Sequence, residues 1–294
     1  MKKILLTGGN GFIGKNILES PLAQKYEITA PRSFELNLTD TENVDEFFKN
    51  KNFDVVLHSA VKPGHRNAKD RSDLFYSNVR MFQNLERHKD KFGKFINLGS
   101  GAIYDVSADI KDAKESDIFK KIPADEHGFC KYTIAKLIEK SDTFIDLNIF
   151  GIFGKHEDFQ IRFISNAICK TLLDLPITLR QNRKFSYLYI DDLMPILEFF
   201  IENDARHKSY NAVPDMKIDL AELAEKIKTF GGKNQDILIA SPGYGLEYTG
   251  SNARLKNEMP NLKFTDIDKS IKTLFGYYQD NISLLDRNLF LEDK

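Results

Sequence analysis

The 294-residue sequence predicts an α/β protein: a doubly wound parallel sheet followed by a smaller C-terminal α/β lobe. Three observations carry that expectation. Short apolar runs alternate with helical patterns through the first half, as in a parallel sheet covered on both faces. The first run ends in a glycine-rich turn, Thr7-Gly8-Gly9-Asn10-Gly11-Phe12-Ile13-Gly14, that opens a helix. Beyond Gly154 the character changes to amphipathic helices with few strand signals.

Taken in order, Lys3 to Leu6 reads as the first strand and Ile13 to Glu19 as the helix after the turn. Glu27 to Ala30 is the second strand, and Val44 to Lys49 the helix after it. Asp54 to His58 is the third, because Val55-Val56-Leu57 is continuous and apolar, as buried parallel strands are. Phe75, Val79, Phe82 and Leu85 make one stripe of a long amphipathic helix, Asp73 to His88. Lys94 to Leu98 is the next strand, and a helix from about Gly128 to Lys140 leads into another, Thr143 to Ile149. Later, Ile161 to Leu173 and Leu193 to Ile201 read as helices and Tyr187 to Ile190 as a short strand. Asp219 caps a helix with the stripe Leu220, Leu223, Ile227 and Phe230, which Gly231-Gly232 ends. Ser270 to Tyr278 is the last firm helix. No repeat or low-complexity linker interrupts the chain. Residues 1–154 are therefore expected to form the main body, segments around 185–215 to return to it, and 155–294 to form mainly the lobe.

Composition narrows the class of protein. Hydrophobic residues make up 41% and charged residues 29%, as in ordinary globular chains. The formal net charge of −1 gives no electrostatic reason for nucleic acid or an anionic membrane as partner. Cys130 and Cys169 cannot build a disulfide framework and have no metal-ligand spacing around them, so two free thiols in a cytoplasmic protein are expected, with no metal. The apolar run Ile4-Leu5-Leu6 is cut short by Thr7-Gly8-Gly9, too soon for a signal-peptide core. No run is long enough to span a membrane.

The glycines of the turn fall at Gly8, Gly11 and Gly14, between a strand and a helix. A backbone without Cβ atoms can approach a pyrophosphate closely, and the helix start offers free N–H groups. The plainer alternative is a tight turn with no ligand. Five further landmarks follow: Val55-Val56-Leu57-His58-Ser59-Ala60, Asn78 early in its helix, Leu98-Gly99-Ser100-Gly101-Ala102-Ile103-Tyr104, Phe150-Gly151-Ile152-Phe153-Gly154, and Tyr187-Leu188-Tyr189-Ile190-Asp191-Asp192-Leu193. With the glycine turn, this series resembles the extended short-chain dehydrogenase/reductase family, the NAD(P)-dependent epimerases, dehydratases and reductases of nucleotide sugars. The likeness runs nearly end to end and implies a Rossmann-type sheet. It also implies cofactor contacts from Gly8, Gly11, Phe12, Ile13, Gly14, Ser59, Ala60, Val61, Asn78 and Leu98.

The second strand ends Thr29-Ala30-Pro31-Arg32-Ser33, with no carboxylate at its tip and an arginine close by. An acidic residue there takes the ribose hydroxyls of NAD, whereas an arginine accommodates a 2′-phosphate. Glu35-Leu36-Asn37-Leu38-Thr39-Asp40 is similar to the GDP-fucose synthase-like reductases, which use NADP, and implies that Asn37 and Leu38 flank the adenine. NADP(H) is favoured over NAD(H).

The family's chemistry calls for a tyrosine acid–base, a lysine four positions on that binds the nicotinamide ribose, and a serine or threonine. Ser100 matches the serine. Two registers compete for the other two in His127-Gly128-Phe129-Cys130-Lys131-Tyr132-Thr133-Ile134-Ala135-Lys136. His127/Lys131 keeps Pro123 upstream and leaves room for a helix of about three turns before Phe144. Tyr132/Lys136 reproduces the family's letters but leaves barely two. Loop length favours the first, which puts a histidine, able to act as acid or base near neutral pH, where the family has tyrosine. For the substrate, Lys62, Gly101, Ala102, Arg162 and Arg183 are the candidates. Phe185 stands where the family often has a phosphate-binding arginine, so Arg183 or Lys184 just before it, or Arg162, is the candidate substitute.

Gly101 and Ala102 cannot do proton chemistry where the family's 4,6-dehydratases carry Asp and Glu. Reduction or dehydrogenation at C4 of a nucleotide-linked sugar, in surface-polysaccharide synthesis, is the leading expectation. A 4-epimerase with tightly held NAD and a cofactor-binding sensor without turnover are the alternatives. Phe82 and its neighbours are expected to pack a homodimer.

Overall fold

The computed structural model describes residues 1–65 and 67–291, so the last three residues of the expected lobe lie outside the described residues. Six parallel strands form the main sheet, in the order Glu27–Thr29, Lys3–Thr7, Phe53–His58, Phe92–Ser100, Phe144–Ile149, Ser209–Ala212. Strand alternation divides their side chains between two cores. Ile4, Leu6, Val55, Leu57, Ile96 and Leu147 pack on one face against Ile17 and the helix Ile190–Glu202. Leu5, Val56, Phe95 and Phe144 pack on the other against the helices Leu74–Glu86 and Glu126–Ile138. This is the expected doubly wound sheet.

Phe82 is fully buried and packs edge-on against Phe95 and Phe144. It fills this chain's own core and cannot face a second copy, contrary to the sequence expectation. A helical stripe records which residues are apolar but not which neighbour covers them. The exposed aromatics on these two helices are Tyr76 and Phe129.

The C-terminal lobe has its own core, with Ile164 and Ile168, Leu223 and Ile227, Ile271 and Leu274 from three helices. Eight strands unmarked by the sequence reading appear among the described residues, four of them being Ile110–Ala113, Ile177–Asn182, Ile237–Tyr244 and Tyr248–Gly250. Most are short or largely exposed, and their pairing partners stabilise them. One pairing matters for function. Tyr248–Gly250 runs parallel to Ile110–Ala113, which leaves the main body just after Ser100. The pairing draws Tyr248 to the end of the central strand.

Candidate active site

The glycine turn is a tightly built cradle. Gly8 has φ +73°, and a Cβ there would lie 2.7 Å from the Ala60 nitrogen. A Cβ on Gly14 would lie 2.2 Å from the Gly8 carbonyl oxygen, which already accepts the Gly11 N–H at 2.9 Å. The helix Phe12–Leu18 has no side-chain cap hydrogen bond among the described residues, and the first N–H groups of any helix lack partners within it. A cleft of about 870 Å³ opens above them. Of the residues expected at a cofactor, Gly8, Gly11, Phe12, Ile13, Arg32, Asn37, Leu38, Ser59, Ala60 and Val61 line it, together with Lys62 and Arg162. A dinucleotide fits these residues: the cradle admits no side chain, and the cleft continues past Arg32.

Some expected residues lie elsewhere. Gly14 sits beneath the cradle. Asn78 lies off the cleft and fastens its loop, accepting the Lys62 N–H at 2.9 Å and donating to the Lys62 and Leu74 carbonyls at 3.1 and 2.8 Å. Lys62 is ion-paired with Asp70 at 2.7 Å. The Glu35 carboxylate is committed to the Arg32 backbone N–H at 2.7 Å. Arg32 lines the cleft, and among the described residues no carboxylate is ion-paired with its side chain.

Asp125 caps the helix Glu126–Ile138, accepting the Gly128 N–H at 2.8 Å, a bond of the kind that stabilises a helix by about 1 kcal/mol. Gly128 lets the helix start press on the loop after Ser100, since a Cβ there would lie 2.6 Å from the Ala102 carbonyl oxygen. One turn on, Lys131 is buried and its Nζ donates to the Leu98 carbonyl at 3.4 Å. His127, Lys131 and Ser100 therefore gather at the C-terminal end of the parallel strands, the ligand edge of such sheets. Ser100 Oγ accepts the Ala102 N–H at 3.2 Å. Tyr132 and Lys136 point away from this edge. Tyr132 packs edge-on against Phe119, and Lys136 Nζ lies 3.8 Å over the same ring.

His127 is half-buried, and its environment changes its chemistry. Burial, then the charge of Lys131, push its pKa down to about 4, with Asp125 opposing and Arg162 adding to the depression. The imidazole is neutral at pH 7. It can accept or donate a hydrogen bond but holds no spare proton to give.

Beneath the site runs a row of polar residues that the sequence reading missed. Thr7, His58, Asn97, Asp146 and Ser209 are register neighbours across five strands, and all are buried. Thr7 Oγ1 and His58 Nδ1 are 2.8 Å apart, and Asn97 Nδ2 donates to Asp146 Oδ1 at 2.7 Å. Burial raises the Asp146 pKa to about 6, against the Asn97 bond and the charge of Lys131. The signal was present in Phe144-Ile145-Asp146-Leu147-Asn148-Ile149, where an acid and an amide interrupt a mainly apolar strand.

On the substrate side, Arg162 acts electrostatically on both His127 and Tyr248. Arg183 is off the cleft, donating to the Leu246 carbonyl at 2.7 Å and lying 5.1 Å from the Phe185 ring centre. Gly101 is roofed by Phe150 and Tyr248, and Ala102 is buried. Among the described residues, no group of three or more His, Cys, Asp or Glu could hold a metal ion, and no helix is long and apolar enough to cross a membrane.

Residues 4–213 match the family model for the NAD dependent epimerase/dehydratase family. The chain belongs to that family. It is 26% identical over 223 residues to GDP-L-colitose synthase of Yersinia pseudotuberculosis, covering 68% of this chain and 72% of that protein. Among solved structures, a GDP-L-fucose synthetase from Naegleria fowleri superposes with a TM-score of 0.82 at 18% identity, covering 97% of this chain and 95% of that one. A GDP-mannoheptose C4 reductase from Campylobacter jejuni, solved with NADP bound, gives 0.79 at 18% identity, covering 95% and 98%. The family and its relatives agree with the sequence expectation of an NAD(P)-linked enzyme of nucleotide sugars.

Proposed function

We propose that this family member is an NADP(H)-linked reductase of the 4-keto group of a nucleotide-linked sugar. The observation that carries the reading is the meeting of Ser100, His127 and Lys131, whose Nζ bonds the Leu98 carbonyl, at the strand ends of a sheet whose glycine cradle lines the cleft. When bound, the reduced nicotinamide supplies a hydride to the keto carbon. Lys131 orients the cofactor ribose, Ser100 donates a hydrogen bond to the keto oxygen, and neutral His127 holds a sugar hydroxyl. Arg162, on the cleft wall, takes the substrate diphosphate, as its planar fork suits. Arg32 on the cleft wall, with no carboxylate ion-paired to its side chain among the described residues, supports NADP over NAD. Gly101 and Ala102 leave no acid for elimination, which favours reduction over dehydration.

We place residues 1–154, with the returning helix Ile190–Glu202 and strand Ser209–Ala212, as the cofactor half and the remainder as mainly the substrate lobe. A cytoplasmic homodimer joined through the faces bearing Tyr76 and Phe129 completes the proposal. The test is oxidation of NADPH or NADH, followed by nicotinamide absorbance, against a panel of nucleotide-linked 4-keto sugars. Turnover with NADPH and release of NADP supports the reading. Cofactor that stays bound through catalysis points instead to an epimerase, and binding without turnover to a sensor.

A further inference from the structure

Reducing a carbonyl requires more than a hydride. As the carbon–hydrogen bond forms, the carbonyl electron pair moves to oxygen, and that oxygen must take a proton from a nearby acid. Around the end of the central strand the candidates are few. Ser100 is an alcohol held by the Ala102 N–H. His127 is neutral and carries no dispensable proton. Lys131 is turned down onto the Leu98 carbonyl. A further group is Tyr248, brought in by the lobe strand Tyr248–Gly250.

Its position is specific. The Tyr248 hydroxyl lies against Gly101, where a Cβ would be only 2.7 Å from it, and it interacts with the Ser100 side chain. The ring is clamped by Phe150 at 4.9 Å and by Phe185, edge-on, at 5.8 Å. The residue is partly exposed. Burial raises its pKa above the ordinary value for tyrosine, which keeps the proton on the oxygen.

We propose that Tyr248 is the catalytic proton donor to the substrate's carbonyl oxygen, acting beside Ser100. The carbonyl carbon gains the hydride, the carbonyl π pair becomes a lone pair on oxygen, and the Tyr248 O–H passes its proton to that oxygen. The phenolate left behind takes a proton from water, so one reduced cofactor and one proton are consumed for each alcohol formed. A phenolate of raised pKa and a sugar alkoxide are of comparable basicity, so the transfer is near-balanced and is drawn forward by the hydride addition it accompanies. Gly101 is then required because any side chain there would push the phenol out of place.

This inference rests on the reductase reading, and its test separates the two. Tyr248→Phe keeps the clamped ring and removes only the acid. It is expected to lower kcat by about 10²- to 10³-fold, the contribution of a positioned general acid, with KM and NADPH affinity near wild type. His127→Gln should lose far less. Full turnover in Tyr248→Phe, or loss confined to His127→Gln, overturns the assignment while leaving the reductase intact. A wild-type chain that turns over no keto sugar overturns both. If Tyr248→Phe does not fold, fluorotyrosine at position 248 serves: the alkaline limb of kcat should move to lower pH, and an unmoved limb overturns the assignment.

Discussion

Lys131 Nζ reaches back across the sheet edge to the carbonyl oxygen of Leu98, 3.4 Å away, while Lys136 five residues later lies over the ring of Phe119. The two lysines share a helix but face different neighbours, because five residues turn a helix by more than one full rotation. Lys131→Met should therefore weaken NADPH binding by about 10- to 100-fold, the value of one charge-assisted hydrogen bond. Lys136→Met should leave binding unchanged and cost no more than about 1 kcal/mol of stability from the lost ring contact. Fluorescence titration of NADPH and thermal melts measure both. Equal loss of binding in the two variants would put the second lysine at the cofactor.

Arg32 can tell the two cofactors apart by itself. In Arg32→Ala, NADPH affinity should fall by about tenfold or more while NADH affinity stays level, since only NADPH carries the extra phosphate. Parallel loss of both would show that Arg32 does not read the 2′ position.

Gly14→Ala tests the cradle. The added Cβ would meet the Gly8 carbonyl oxygen at 2.2 Å, so backbone must move. A cost of about 1–3 kcal/mol is expected from such overpacking, with loss of NADPH binding. Gly276→Ala is the control, because nothing lies within 4 Å of a Cβ there. If both variants melt and bind alike, the close approach is not what requires glycine at position 14.

Asp146 sets a pH signature. Its folded pKa is raised from 3.8 to about 6, chiefly by burial, so the folded state holds its proton more tightly than the unfolded chain. The corresponding stability is present below about pH 4 and is lost as pH rises through 6, amounting to roughly 2–3 kcal/mol. Asp146→Asn should flatten that part of the stability profile and be the more stable chain at pH 8. Denaturant melts between pH 4 and 8 measure it. Matching profiles for the two chains would show that the carboxyl ionises in the folded state as it does in water.

Much of the cofactor half was legible because its signals are local. Glycine spacing and apolar strands each depend on a few consecutive residues, as does the Asp219 cap in the lobe, which accepts the Glu222 N–H at 2.9 Å. The favoured histidine–lysine register rested on loop length, which is also local, and the geometry turns Lys131 toward the sheet edge and Lys136 away from it. The catalytic roles of these residues are what the variants above measure. The dimer stripe failed at Phe82 for the opposite reason: burial is a property of partners, and the sequence does not name them.

By itself, then, the sequence determined the parallel sheet, the cradle and the set Ser100, His127 and Lys131 as candidates. Only the tertiary structure decided that His127 is neutral, that Asp146 lies buried in a polar row beneath Lys131, and that Tyr248 comes to the end of the central strand. The physical reason is shared by all three. A pKa depends on desolvation and on charges brought near by folding, and Tyr248 is 148 positions from Ser100 along the chain, joined to it by strand pairing that no short stretch of sequence encodes.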